Sequence, residues 1–277
     1  MRLGLDVGQH QLTWPELLDR TRLAERSGFD GAWVFDHFFP LYGDPSGPCM
    51  EGWTLLAALS AATNRIRLGA LVTGITYRPP ALLATEAVTI DHVSSGRLEI
   101  GLGAAWNRPE HVALGYDFPS TGERLRRLEE AVKVMKLLMT TDGATFEGRY
   151  YRLHDARYHP RPVQLPHPPI WIGGSGERMT IPITGRHADA WHAQGPMSNY
   201  PRKLRILDEA AERAGRDPRH ILRAASLSLS QPWDDVRADA DQLREMAFGY
   251  LVVGWPSEGR GHLETFIERV MPELTAD

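Results

Sequence analysis

The chain is poor in the residues that announce the commonest kinds of special chemistry. One cysteine, Cys49, stands among 277 residues. That excludes an intrachain disulfide and a cysteine-based metal cluster, and makes the reducing cytoplasm the expected compartment. Lysine is almost as scarce: only Lys133, Lys136 and Lys203 occur. No run of about 18 apolar residues exists, so no membrane span is expected. The opening residues Met1 to Asp6 alternate apolar and polar side chains, unlike a signal peptide. An excess of either charge is missing too. The 31 basic and 35 acidic residues leave a formal net charge of -4 and are interspersed, which gives no electrostatic footprint for nucleic acid. No Gly-x-Ser-x-Gly elbow is present, so the usual serine hydrolase is not expected.

What the chain does have is a repeated alternation of short apolar runs and amphipathic stretches. Strands are expected at Arg2 to Val7, Gly31 to Phe35, Ile66 to Thr73, Leu98 to Gly103, Ile170 to Gly173, Ala188 to His192, Ile221 to Leu229 and Tyr250 to Gly254. Helices fall between them. Thr13 and Glu16 read as a capping box around Pro15, and Gly28 offers a stop. Trp53 to Thr63 and Pro80 to Val93 are further helices, and Leu125, Leu128, Val132, Met135 and Met139 form a helical stripe. Ala32-Trp33-Val34-Phe35 lacks strict alternation, as parallel strands covered by helices do. Eight strand–helix units in about 250 residues favour a (β/α)8 TIM barrel, with a doubly wound sheet as the alternative. The whole of residues 1–277 reads as one domain, because no linker divides it. One stretch, Thr140 to Pro168, breaks the rhythm. It reads as a small hairpin around Phe146 to Tyr151 followed by an extended proline-rich crossing, an insertion between the fourth and fifth strands.

In such barrels chemistry sits just past the C-terminal ends of the strands. Those positions hold Asp36 and His37, then Thr73-Gly74-Ile75, then Gly103-Ala104-Ala105-Trp106-Asn107, then Gly173-Gly174-Ser175-Gly176, and Trp191-His192. Asp6, Asp36, His37 and His192 could form a divalent-metal set, but the strand ends are otherwise poor in ligands. Gly101-x-Gly103 lacks the third glycine of a dinucleotide fingerprint; its small neighbours do let a flat ring approach the backbone. Gly173 to Gly176 presents amides and a hydroxyl at a helix start, which can cradle a phosphate, although an ordinary tight turn has the same composition. Likewise, Asp36 alone could be a cap and His37 a rim residue.

Taken together, these segments resemble the luciferase-like superfamily. The resemblance rests on Phe35-Asp36-His37-Phe38, on Gly101 to Asn107 with Glu110-His111 and Gly115-Tyr116, and on Phe146 to Tyr151. It continues through Pro168-Pro169-Ile170-Trp171-Ile172-Gly173-Gly174-Ser175-Gly176 and Arg186 to Trp191. The likeness is greatest to the coenzyme F420-dependent branch. It implies a hydride transfer between the deazaflavin and a small organic substrate, with Asp36 and His37 near the ring and His37 as proton donor. An imidazole, with an intrinsic pKa near about 6.5, exchanges protons close to neutrality. The resemblance also implies a backbone bulge with a non-proline cis peptide at Thr73-Gly74-Ile75 supporting one ring face. Gly103 to Asn107 would lie near the ring, and Gly173-Gly174-Ser175 would hold the phosphate. Trp106, Trp191 and His192 would wall an apolar substrate pocket. Some positions depart from the branch's sugar-phosphate dehydrogenases: Trp106 replaces a Glu, Leu41 replaces a Trp, and the lysines that hold the sugar phosphate have no counterpart. Elsewhere, Ala105 replaces a common Gly and His192 a common Asn. The alternatives are an FMN-dependent monooxygenase fed by a separate flavin reductase, and a non-catalytic flavin-binding protein. The partners expected are a small-molecule substrate and, as an open option, a second copy in a homodimer.

Overall fold

The computed structural model describes residues 1–276. In chain order the elements are β1 (Arg2–Asp6), α1 (Trp14–Arg26), β2 (Gly31–Val34), α2 (Gly52–Ala62), β3 (Arg67–Ala70), β4 (Thr73–Gly74), α3 (Pro80–Val93), β5 (Leu98–Gly103), α4 (Arg108–Leu114), α5 (Thr121–Thr140), β6 (Ala144–Glu147) and β7 (Arg152–Ala156). They continue with β8 (Ile170–Gly173), α6 (Thr180–His187), β9 (Ala190–Ala193), α7 (Tyr200–Arg213), β10 (Leu222–Leu227), α8 (Trp233–Glu245), β11 (Tyr250–Gly254), α9 (Arg260–Arg269) and α10 (Met271–Thr275). β1, β2, β3, β5, β8, β9, β10 and β11 pair in parallel in that order, and β11 pairs back with β1. The sheet is therefore a closed eight-stranded barrel, as the strand–helix alternation predicts. β4 is the continuation of β3, still in register with β5 through Thr73↔Leu102 and Gly74↔Gly103. The third strand expected over Ile66 to Thr73 is thus interrupted at Leu71-Val72. The antiparallel hairpin β6–β7 forms the insertion before β8.

Local chemistry explains the element ends. Glu16 accepts the Thr13 backbone N–H at 2.8 Å and the Thr13 hydroxyl at 2.6 Å, closing the start of α1. Glu51 accepts the amides of Trp53 and Thr54 at 2.9 and 2.7 Å, satisfying two donors that open α2. The main core lies between the strands and the helical ring. Inside the barrel is a second, smaller cluster around Trp33, Trp171 and Tyr250. The three rings meet edge to face at 4.7 to 6.0 Å between centroids. Glycine makes room for them: a Cβ on Gly4 would stand 2.4 Å from Trp33 Nε1 and 2.5 Å from the Tyr250 hydroxyl. This aromatic floor closes the lower half of the barrel and leaves the C-terminal mouth open. No described helix is long and apolar enough to cross a membrane.

Candidate active site at the C-terminal mouth

A cavity of about 680 Å³ opens above the aromatic floor. Residues following β1, β2, β4, β5, β8 and β9 and residues on β10 and β11 reach it, which is where parallel strands deliver side chains and loop amides in this fold. A hollow of about 650 Å³ at the opposite end is lined by Met1, Gly28 and Met271. Its carboxylate, Asp30, is committed to the Leu3 amide at 2.8 Å.

His37 and Asp36 both line the mouth cavity, each held from behind by a different charge. His37 Nδ1 lies 2.8 Å from Glu110 Oε2, and the other Glu110 oxygen accepts the amides of Phe38 and Phe39 at 2.6 and 3.2 Å. The Tyr77 hydroxyl also donates to Glu110. Burial alone would raise the Glu110 carboxyl. The donors of His37, Tyr77 and Phe38 outweigh it and bring the pKa down to about 2. Glu110 is therefore an anion that only accepts, so His37 Nδ1 carries a proton and Nε2 is left to the cavity. Asp36 is 1% exposed. Its Oδ2 takes Arg78 at 2.7 Å, and Arg78 is shared with Glu51 and Glu86. Its Oδ1 has no partner among the described residues. Burial pushes its pKa up to about 6 despite Arg78. Because each of the two is bound to its own counter-group, the Asp36–His37 pair is not a ready metal site, and no cluster of three such ligands occurs among the described residues.

The other side of the cavity combines a glycine turn, a threonine and an arginine. Gly173, Gly174 and Gly176 line it with Thr180, at the start of α6, and Arg124, from the first turn of α5. Gly174 has φ +131° and a Cβ on Gly176 would stand 2.8 Å from Thr180 Oγ1, so backbone and hydroxyl are packed as only glycines allow. Arg124 is 7% exposed and stacks 3.9 Å from the Phe118 centroid. It donates to the carbonyls of Ala104 and Pro119, with no carboxylate within salt-bridge distance among the described residues. The non-proline cis peptide that the resemblance implies at Thr73-Gly74-Ile75 is instead Leu71-Val72, just before Thr73. The Val72 side chain covers Gly103 and Gly173, where added Cβ atoms would stand 2.7 and 2.8 Å from it.

Of the strand-end residues singled out from sequence, Asp36, His37, Gly74, Gly103, Ala104, Ala105, Trp106, Gly173, Gly174 and His192 surround this one cavity. Five do not. Thr73 turns outward and its hydroxyl accepts Trp53 Nε1 at 2.8 Å. Ile75 is packed in the core, and Asn107 precedes α4, with its carbonyl accepting from His111. Ser175 spends its hydroxyl on the Gln194 backbone, accepting the amide at 2.8 Å and donating to the carbonyl. It braces two loops rather than facing the cavity. Trp191, expected at the substrate wall, is fully buried on the helix side of β9 and donates to the Gly174 carbonyl at 2.8 Å. Adjacent strand residues point to opposite faces, so Trp191 and His192 could not both wall one cavity. Sequence reading missed His10, Glu110 and Arg124 as site residues. Glu110 was visible only as part of a motif, and nothing local linked it to His37.

A family model described as luciferase-like monooxygenase matches residues 1–270. The chain belongs to the luciferase-like monooxygenase family. An F420-dependent glucose-6-phosphate dehydrogenase of Kineococcus radiotolerans is 35% identical over 245 residues, 86% of this chain and 70% of its own. A second enzyme of that name, from Intrasporangium calvum, is 33% identical over 84% of this chain and 71% of its own. Among solved structures, an F420-dependent secondary alcohol dehydrogenase bound to an F420–acetone adduct superposes with a TM-score of 0.85. It covers 100% of this chain and 99% of its own at 20% identity, a likeness of fold. In this family member, His37 and the Gly173–Gly176 turn line one cavity at the mouth of the barrel.

Proposed function

We propose that this family member is a coenzyme F420-dependent oxidoreductase that moves a hydride between the deazaflavin and a small uncharged organic substrate. The observation that carries this is the division of one cavity into two chemistries. One side has a glycine turn, Thr180 and an acid-free arginine suited to a phosphate. The other has Asp36, with an unpartnered buried oxygen, beside a Glu110-held imidazole. Bound there, a deazaflavin supplies the two-electron chemistry. The protein's own part is to hold the phosphate with Gly173, Gly174, Gly176, Thr180 and Arg124, and to support the ring on Val72 and Gly74. Gly103 and Ala104 leave space beside the ring, Asp36, held by Arg78, borders that space, and His37 Nε2 moves the substrate's proton. The names of the Kineococcus and Intrasporangium relatives support the cofactor. They do not carry over to a sugar phosphate. Arg124 is the one cationic side chain lining the cavity among the described residues. Lys133 and Lys136 are paired with Glu129 and Asp189, and Lys203 donates to the Gln194 carbonyl. The substrate side is instead formed by Leu41, Tyr42, Trp106, Ser226 and Val252, which suits a neutral, largely apolar molecule. The whole chain is read as one such domain working in the cytoplasm.

Titration of the purified protein with F420 and with FMN tests the reading. F420 is expected to bind the more tightly, and hydride exchange is expected without a flavin reductase. Tight FMN binding with no measurable F420 binding would reassign the chain to reductase-fed monooxygenase chemistry.

A further inference from the structure

The strand parity that builds the aromatic floor also decides what stands directly above it. On β1 an added Cβ at Gly4 would meet Trp33 and Tyr250 inside the barrel, while Leu3 and Leu5 belong to the outer core. Asp6, two residues beyond Gly4, therefore also points inward. It sits one layer above the floor and lines the mouth cavity. Oδ1 accepts the Gly8 amide at 2.9 Å, which closes the turn where Gly8 has φ +61°. Oδ2 takes no hydrogen bond among the described residues and yet is not one of their sealed, unpartnered atoms. It therefore opens to the cavity. Arg20, the nearby cation, is engaged elsewhere: it donates to the Val7 carbonyl at 2.9 Å and stacks 3.9 Å from the Trp255 centroid. The cavity's other carboxylate, Asp36, is bound by Arg78, and its unpartnered oxygen is sealed. Beside Asp6, Ser226 and Val252 line the cavity from β10 and β11, and Ser226 Oγ is 3.2 Å from His192 Nε2. Burial pushes the Asp6 carboxyl up, while the Gly8 amide and Arg20 pull it back. A hydrogen-bond donor on Oδ2 would favour the anion in the same way.

We propose that Asp6 is a specificity-determining residue that anchors an N–H or O–H donor of the substrate, so that the substrate is an uncharged, largely apolar molecule carrying such a donor. A carboxylate oxygen is an acceptor only. A donor completes it, a ketone or ether leaves it unmet, and an anion is repelled by it. The anchor takes no part in the redox step: no bond to Asp6 forms or breaks, and no proton need leave the donor. This deepens the hydride-transfer reading above and rests on it for the uncharged body of the substrate.

Three probes of nearly the same shape isolate the donor. Benzamide, acetophenone and benzoate share a ring and a carbonyl and differ in carrying an NH2, a methyl or a charged oxygen. In the F420-loaded protein, benzamide is expected to bind about tenfold more tightly than acetophenone, as one hydrogen bond to a carboxylate allows. Benzoate is expected to bind more weakly than either. The Gly8 amide, bonded to the same carboxylate, should shift in 1H–15N spectra with benzamide and stay in place with acetophenone. Asp6→Asn keeps an oxygen for the Gly8 amide and puts an NH2 where the open oxygen was. It should erase the preference for benzamide, strengthen benzoate and leave F420 affinity unchanged. Equal binding of benzamide and acetophenone by the parent, or no measurable binding of benzamide, overturns the proposal whatever the variant does. Identical probe ratios in parent and variant would make Asp6 a turn residue only, and a large loss of F420 affinity would make it a cofactor contact instead. A protein that takes no F420, but whose unloaded cavity still shows the Asp6-dependent preference, would sink the cofactor reading and leave the anchor standing.

Discussion

The floor and the mouth of this barrel are made from the same strands and obey opposite rules. In the floor the buried polar atoms of Trp33, Trp171, Tyr250 and Glu99 are spent on one another and on Arg67. Trp33 Nε1 donates to the Tyr250 hydroxyl at 3.2 Å and Trp171 Nε1 to Glu99 at 2.6 Å, while Arg67 neutralises Glu99. A few residues along the same strands, the mouth leaves Asp36 Oδ1 and both Nε2 atoms of His10 and His37 unspent. Unsatisfied buried groups cost stability. At the mouth that cost falls on Asp36 Oδ1, while the two imidazole nitrogens are left facing the cavity.

The comparison breaks most visibly if the floor is cut. Trp171 is 1% exposed. Trp171→Ala should destabilise the protein by about 3–5 kcal/mol through the cavity it leaves, and it strands Glu99 without one of its donors. Trp171→Phe keeps most of the volume and isolates that hydrogen bond, with an expected loss of about 1–3 kcal/mol. Urea unfolding reads both. F420 affinity at temperatures where the variants stay folded should be little changed. A large affinity loss from the phenylalanine variant would mean that floor and mouth are coupled.

Cutting the mouth should do the reverse. His37→Asn leaves a polar side chain but no group that can exchange a proton near neutrality. It should lower kcat by about 10²–10⁴, with F420 affinity and unfolding midpoint close to those of the parent. A variant with near-parental kcat would assign the proton step to solvent and leave His37 as a support.

The same contrast explains what could be read in advance. Closed barrel, strand positions and the two glycine turns follow from periodicity and from turn residues, which act over a few neighbours. Trp191 was misplaced for want of one further step. With Ala190 in the barrel interior and His192 at the cavity, the residue between them must face the helices. The break of the third strand at Leu71-Val72 was placed two residues late, because an apolar run gives no sign of where its register slips. Glu110 and His10 were out of reach for a different reason. Glu110 lies 73 residues from His37, and His10 owes its tautomer to a backbone amide 31 residues away. Only the closure of the barrel brings such pairs together.

The smallest effect expected here sharpens the comparison by titration. His192 lies at the cavity, with Ser226 Oγ 3.2 Å from its Nε2 as its side-chain partner. Burial holds its pKa down to about 4, against an ordinary 6.5. The unfolded chain therefore takes up a proton at this site between about pH 6.5 and 4 that the folded chain refuses. The stability that goes with the neutral ring is full above 6.5 and is lost as pH falls toward 4, at no more than about 1.4 kcal/mol per pH unit. Asp36 runs against it, since its raised pKa lets the folded chain bind a proton first between about 6 and 3.8. His10 runs with it. The parent's net slope mixes these three with Asp6, Glu86 and Glu99, whose carboxyls burial also pushes up, but the difference between the parent and His192→Asn removes one known contribution. Asparagine is the residue the resemblance associates with this position, and it carries no titrating group. Unfolding free energies from urea curves at pH 6.5, 5.5 and 4.8 should show the variant losing less stability on acidification than the parent. That range stays above the window in which Glu110 and Glu129, both held down to about 2, begin to dominate. Parallel curves for the two proteins would mean that the His192 ring is hydrated and can charge in the folded state, so the mouth would be wetter at β9 than its 5% exposure implies.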